Sequence, residues 1–144
     1  MRILAALALL ALTPLLALDL ATVRAEPDLE KRSEKALAAA DAAFQAARAA
    51  FKNGNAANET ASLASVRESV ELAIQSLRDS GKDARRSPKY FKKAEIALRK
   101  LIRNLEDFRF AKGADERAPF EDLIAVVHEA HDKVLTGIMT KKPK

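Results

Sequence analysis

The chain predicts an all-α fold, an antiparallel up-and-down four-helix bundle, on three observations. Four stretches place apolar residues every three or four positions, which keeps them on one face of a helix. The four glycines, Gly54, Gly81, Gly113 and Gly137, fall between those stretches, where a helix ends and the backbone turns. No stretch alternates apolar and polar residues with the period of two that a strand requires. The competing architecture is a long helical hairpin that dimerises into the same four-helix core, since strict three-four spacing also suits a coiled coil.

The first helix is predicted from about Asp28 to Lys52. It is so rich in alanine, the strongest helix former, that its face is read from Leu29, Leu37, Phe44 and Phe51. The second runs from about Asn55 to Ser80 on Leu63, Val66, Val70, Ala73 and Leu77. The third opens at Ser87-Pro88, a cap residue followed by a proline at the first helical position, and continues through Phe91, Ala94, Leu98, Leu101, Leu105 and Phe108. The fourth starts near Asp115 and carries Phe120, Leu123, Val127, Ala130, Val134 and Ile138. Pro119 fits only within its first turn, where backbone donors have no intrahelical partner.

Residues 1–25 read as an address. Met1-Arg2 gives a positive start, Ile3 to Leu18 is an apolar run broken only by Thr13 and Pro14, and Val23-Arg24-Ala25 puts small residues where a signal peptidase inspects them. The expectation is a secretory signal peptide cut after Ala25. The rival, a membrane anchor, needs roughly 20 apolar residues, more than this run supplies. The chain has no cysteine, so a lipoprotein signal and disulfides are both excluded, and the domain over 26–140 must rely on packing. A basic tail, 141–144, follows. The implied setting is periplasmic or secreted.

The net charge of the whole chain is only +5, so its distribution matters more than its size. Between Arg78 and Arg103, ten basic residues face three acidic ones. The densest part is Lys82, Arg85, Arg86, Lys89, Lys92 and Lys93. In an up-and-down bundle the loop between the second and third helices shares an end with the C-terminus, so Lys141, Lys142 and Lys144 would join that cluster. The expected role is an anion-binding end suited to an anionic membrane surface, an acidic envelope polymer or an acidic protein. Nucleic acid is disfavoured, because only Tyr90 and Phe91 offer rings for base stacking there. A solvated surface is the plainer account of the same charges. The chain is expected to act as a monomer or a homodimer.

The segment Pro88-Lys89-Tyr90-Phe91-Lys92-Lys93-Ala94-Glu95, with Arg103-Asn104-Leu105, Asp115-Glu116-Arg117 and Leu135-Thr136-Gly137-Ile138-Met139, resembles bacterial exported helical proteins of no established function. The resemblance covers about the C-terminal half, implies a bacterial envelope or secreted setting, and transfers no active site. Haem bundles of the c type need a Cys-x-x-Cys-His attachment that a cysteine-free chain lacks. Those of the b type need a methionine and a histidine from opposite ends of the chain, whereas Met139 shares a helix with both histidines. The Leu-Thr-x-x-Gln repeats of periplasmic stress chaperones are not found.

His128 and His131 are the only histidines, and their spacing of three on one helix makes a metal site the alternative function. Their position favours a structural role, with Glu34, Tyr90 or Glu95 within reach of His131. No cofactor is expected. The sequence has no glycine-rich phosphate loop, Gly-x-Ser-x-Gly elbow or cysteine nucleophile, and the neighbours Glu106-Asp107 and Glu121-Asp122 diverge on a helix, so no enzyme is expected. Asn58-Glu59-Thr60 matches a glycosylation acceptor, relevant only in a eukaryotic secretory pathway.

Overall fold

The computed structural model describes residues 20–140, so the apolar run Ile3 to Leu18 and the tail residues Lys141, Lys142 and Lys144 lie outside the described residues. Among those described, all regular structure is helical, with four long helices and no strand. A short helix α1 (Leu20–Arg24) precedes α2 (Leu29–Lys52), α3 (Ala56–Asp79), α4 (Pro88–Arg109) and α5 (Arg117–Met139). None of them is long and apolar enough to cross a membrane.

Each boundary has a local cause. Asp28 caps α2, its carboxylate accepting the N–H groups of Glu30 at 3.0 Å and Lys31 at 3.1 Å. The Asn55 side chain accepts the Asn58 N–H at 3.1 Å and so caps α3. Gly54 and Gly81 close the two preceding helices with φ of 69° and 65°, a conformation that a side chain would strain. Ser87 occupies the cap position of α4 but makes no capping hydrogen bond, so the start of that helix rests on Pro88 and its fixed φ. Two glycines depart from the expected pattern. Gly113 has extended backbone and leads into a 3-10 turn (Ala114–Glu116) that absorbs Asp115 and puts Pro119 inside the first turn of α5. Gly137 lies inside the last turn of α5 and faces Ala84, whose side chain is 3.6 Å from the position a Cβ would take.

Small residues govern the packing. Ala36, Ala39, Ala40, Ala43, Ala47 and Ala50 form the buried face of α2, and α3 answers with Val66, Ser69, Val70, Ala73 and Ser76. With so little side chain between them these two helices approach most closely. The other neighbours are α4 with α5, α2 with α4 and α3 with α5, while α3 and α4 barely touch although consecutive in the chain. Bulk is concentrated toward the end where α4 closes. There Phe108 meets Phe44, Phe51 and Phe120 edge to face at centroid distances of 5.8, 5.2 and 5.5 Å.

One feature of α1 bears on the expected cut after Ala25. Val23 is 1% exposed and belongs to the core, and α1 packs on α2. The link to α2 is tied down by Glu26, which pairs with Lys35 through its carboxylate and accepts the Arg32 side chain on its carbonyl at 2.8 Å. Residues assigned to the address therefore take part in the fold.

Candidate functional site

The α3–α4 loop and the first turns of α4 hold six of the nine basic residues expected to form an anion site. Its shape comes from a turn closed by Asp83, whose carbonyl accepts the N–H groups of Arg86 at 3.1 Å and Ser87 at 2.9 Å. Ala84, 5% exposed, is the anchor, since it faces Gly137 in the last turn of α5. The turn thereby directs Arg85 and Arg86 into solvent, and the first turns of α4 add Lys89 and Lys92, also exposed.

The six cations are not equivalent. Lys82 pairs with Glu30 of α2, and Lys93 with Glu34 at 2.7 Å. Each carboxylate raises the pKa of its lysine by accepting a hydrogen bond from the charged form. Lys89 and Lys93 both place their ammonium groups over the Tyr90 ring, at 5.2 and 5.3 Å. Arg85, Arg86, Lys89 and Lys92 make no ion pair among the described residues. A shallow cleft of about 440 Å³ opens beside them, bounded by Glu30 and Lys82 and by Pro88, Lys89, Tyr90 and Lys92. Such a surface offers ammonium and guanidinium donors to an incoming anion, with Glu30 and Glu34 already engaged by the two paired lysines.

The histidines turn to separate partners. His128, half exposed, lies 3.2 Å from Glu106, and His131, 15% exposed at its side chain, lies 3.2 Å from Glu95. Glu95 is also 3.5 Å from Arg99. Of the three residues expected within reach of His131, Glu95 is the one that meets it. Among the described residues no three side chains of histidine, cysteine, aspartate or glutamate gather as metal ligands would. Glu121 and Asp122 are both exposed, and Asn58 of the glycosylation match stands in the first turn of α3.

Sequence reasoning missed one buried pair. Lys112, 7% exposed, forms an ion pair with Glu59, 8% exposed, and its ammonium lies over Phe51 at 4.5 Å and Phe108 at 5.5 Å. Burial pushes its pKa below the ordinary lysine range, while Glu116, 3.9 Å away, pulls it up. Both positions extend an apolar stripe, Glu59 four residues before Leu63 and Lys112 four after Phe108, so the spacing was a signal, but a charged residue there reads as the point where the stripe ends. No protein-family model, curated protein or solved structure matches this chain.

Proposed function

We propose that this chain is an exported, non-catalytic helical module that binds anionic surfaces of the cell envelope through the end formed by the α3–α4 loop and the start of α4. The observation that carries the reading is the set of four exposed cations that make no ion pair among the described residues, Arg85, Arg86, Lys89 and Lys92, within eight residues of chain. Surface charges reinforce one another only within about a Debye length, ~8 Å at physiological salt, so crowding matters more than the total. The reading takes the four long helices as running up and down in chain order, which leaves α2 and α4 as parallel neighbours. The seat of Ala84 against Gly137 supports it, since it sets the loop beside the last turn of α5. Lys141, Lys142 and Lys144, which follow that turn in the chain, would then add to the same end. Of the anions considered, a membrane surface suits a cluster of exposed cations spread around a shallow cleft best.

Binding to vesicles containing phosphatidylglycerol tests this. Replacing Arg85, Arg86, Lys89 and Lys92 together with glutamine is expected to abolish most of the binding without altering the helical signal. A control at Arg48, Lys52, Arg67 and Arg103 is expected to lose much less, and wild-type binding is expected to fall as salt is added. Equal losses from both sets would mean that only overall charge is read.

A further inference from the structure

Between α2 and α4 runs an apolar cleft of about 420 Å³ floored by Leu37, Ala38, Ala94, Ala97 and Leu101. Ile96, 56% exposed, stands at its edge as one of the few large apolar side chains left in solvent. The two helices share a register. Glu34 of α2 bonds to Lys93 of α4, 59 positions later, and the same offset pairs Ala38 with Ala97, Asp41 with Lys100 and Arg48 with Asp107. The rims are therefore opposite in sign at every charged level. Only the Glu34–Lys93 level is closed within the chain. Asp41, Lys100 and Asp107 make no ion pair among the described residues, and Arg48 makes only a cation–π contact with Phe44 and a long hydrogen bond to Gln45.

We infer that this face binds a second copy of the chain about a twofold axis running along the cleft. The axis lays α2 of one copy over α4 of the other without changing register. Asp41 then meets the partner's Lys100, Arg48 the partner's Asp107, and Glu34 the partner's Lys93, each contact made twice by symmetry. Between the charged levels, Ile96 enters the space over the partner's Ala38, large against small. A twofold axis across the cleft stacks α2 on α2 in the reverse direction and never pairs all three charged levels with opposite signs: centred between Glu34 and Asp41 it opposes two carboxylates, and centred on Asp41 it sets that residue against its own copy, which like-charge repulsion disfavours. The charge pattern thus selects one orientation. The face measures about 36 Å by about 18 Å, or about 650 Å² per copy, somewhat below the ~800 Å² of a standard interface, a size that fits a reversible dimer rather than a permanent one. The face shares Lys93 with the basic end, but Arg85, Arg86, Lys89 and Lys92, which carry the proposed function, do not line the cleft, so this inference and the proposed function stand or fall separately.

Sedimentation of the purified soluble protein across micromolar concentrations, with paired charge reversals, tests the inference. Lys93→Glu with Lys100→Glu, and Glu34→Lys with Asp41→Lys, should each give a monomer. Mixing the two variants should restore a dimer, since every level is again opposite in sign. Ile96→Ala should weaken the wild-type dimer at least tenfold while leaving the helical signal unchanged. The chain has no native cysteine, so a mixture of Ala38→Cys and Ile96→Cys should cross-link between the two variants. A wild-type monomer at every concentration, a mixture that stays monomeric, or self-linking of Ala38→Cys as the main product would each overturn it. So would a monomer that takes up a fatty acid in the cleft, read from fluorescent fatty-acid displacement that Ala97→Leu removes, because the groove would then belong to an acyl chain.

Discussion

Lys112 and Glu59 illustrate how a residue's role depends on its surroundings. A lysine just past the end of a helix is ordinarily solvated, yet this one is closed in by Phe51 and Phe108 and compensated by Glu59. A buried pair of this kind adds little net stability, because desolvation offsets most of the attraction. Breaking it is another matter. Lys112→Met alone leaves the Glu59 carboxylate buried without its partner and is expected to cost about 3–5 kcal/mol. The double variant Lys112→Met with Glu59→Leu is expected to recover most of that, a coupling that thermal or urea melts would measure. Losses that simply add would mean the two side chains act independently. The same burial rules Lys112 out of any set of surface charges used to compare the two ends of the molecule.

At the scale of elements, α2 depends on its cap more than its composition suggests. Alanine favours the helix but supplies little apolar area, so the first turn is held by Asp28 and by Glu26 with Lys35 and Arg32. The N–H groups of Lys31 and Glu30 hold the Asp28 carboxyl below the usual carboxylate range. A folded-state pKa lowered in this way gives stability that is fully present above the unfolded value of about 3.9, and that is lost as pH falls through the folded value. Asp28→Ala is expected to lower the melting temperature by a few degrees at pH 7 and by progressively less below pH 4. A difference that persists unchanged at pH 2 would show that the carboxylate's charge is not the source. The last helix, α5, shows a glycine in a different role. A residue inside its last turn, Gly137, is a contact point for the α3–α4 loop rather than a stop signal.

Over the whole molecule, the segment expected to serve as an address overlaps the fold at residues 20–25. If export cuts the chain after Ala25, the product beginning at Glu26 lacks Val23 and the packing of α1 on α2. Burying a valine is worth roughly 1.5–3 kcal/mol, so the form beginning at Glu26 is expected to melt measurably below one beginning at Leu20. Intact mass of the exported species identifies which form exists, and paired melts measure the difference. Equal melting of the two forms would mean that Val23 fills space without stabilising. The loss would open apolar surface near the start of α2, on the same molecule whose α2 and α4 rims are proposed to meet a second copy.

Most of the secondary structure was legible because helix formation is local. The period of three and four, the caps at Asp28 and Asn55, and glycine at positions 54 and 81 each act within one or two turns. The all-α class and the burial of Val66, Leu98, Leu105, Phe120 and Val127 follow from those signals. What only the tertiary structure decided is which faces meet. It brought α2 beside α4 in register, kept α3 and α4 apart, and joined Lys82 to Glu30 and Lys93 to Glu34, so that of the six cations in the densest part of the basic stretch two are paired and four make no ion pair among the described residues. It also closed Lys112 over Glu59 between two phenylalanines. The physical reason is range. Periodicity and capping are short-range properties of the chain, whereas ion pairing and desolvation depend on distances between segments about 60 residues apart, 59 for Glu34 with Lys93 and 61 for Phe51 with Lys112, which a one-dimensional pattern does not encode.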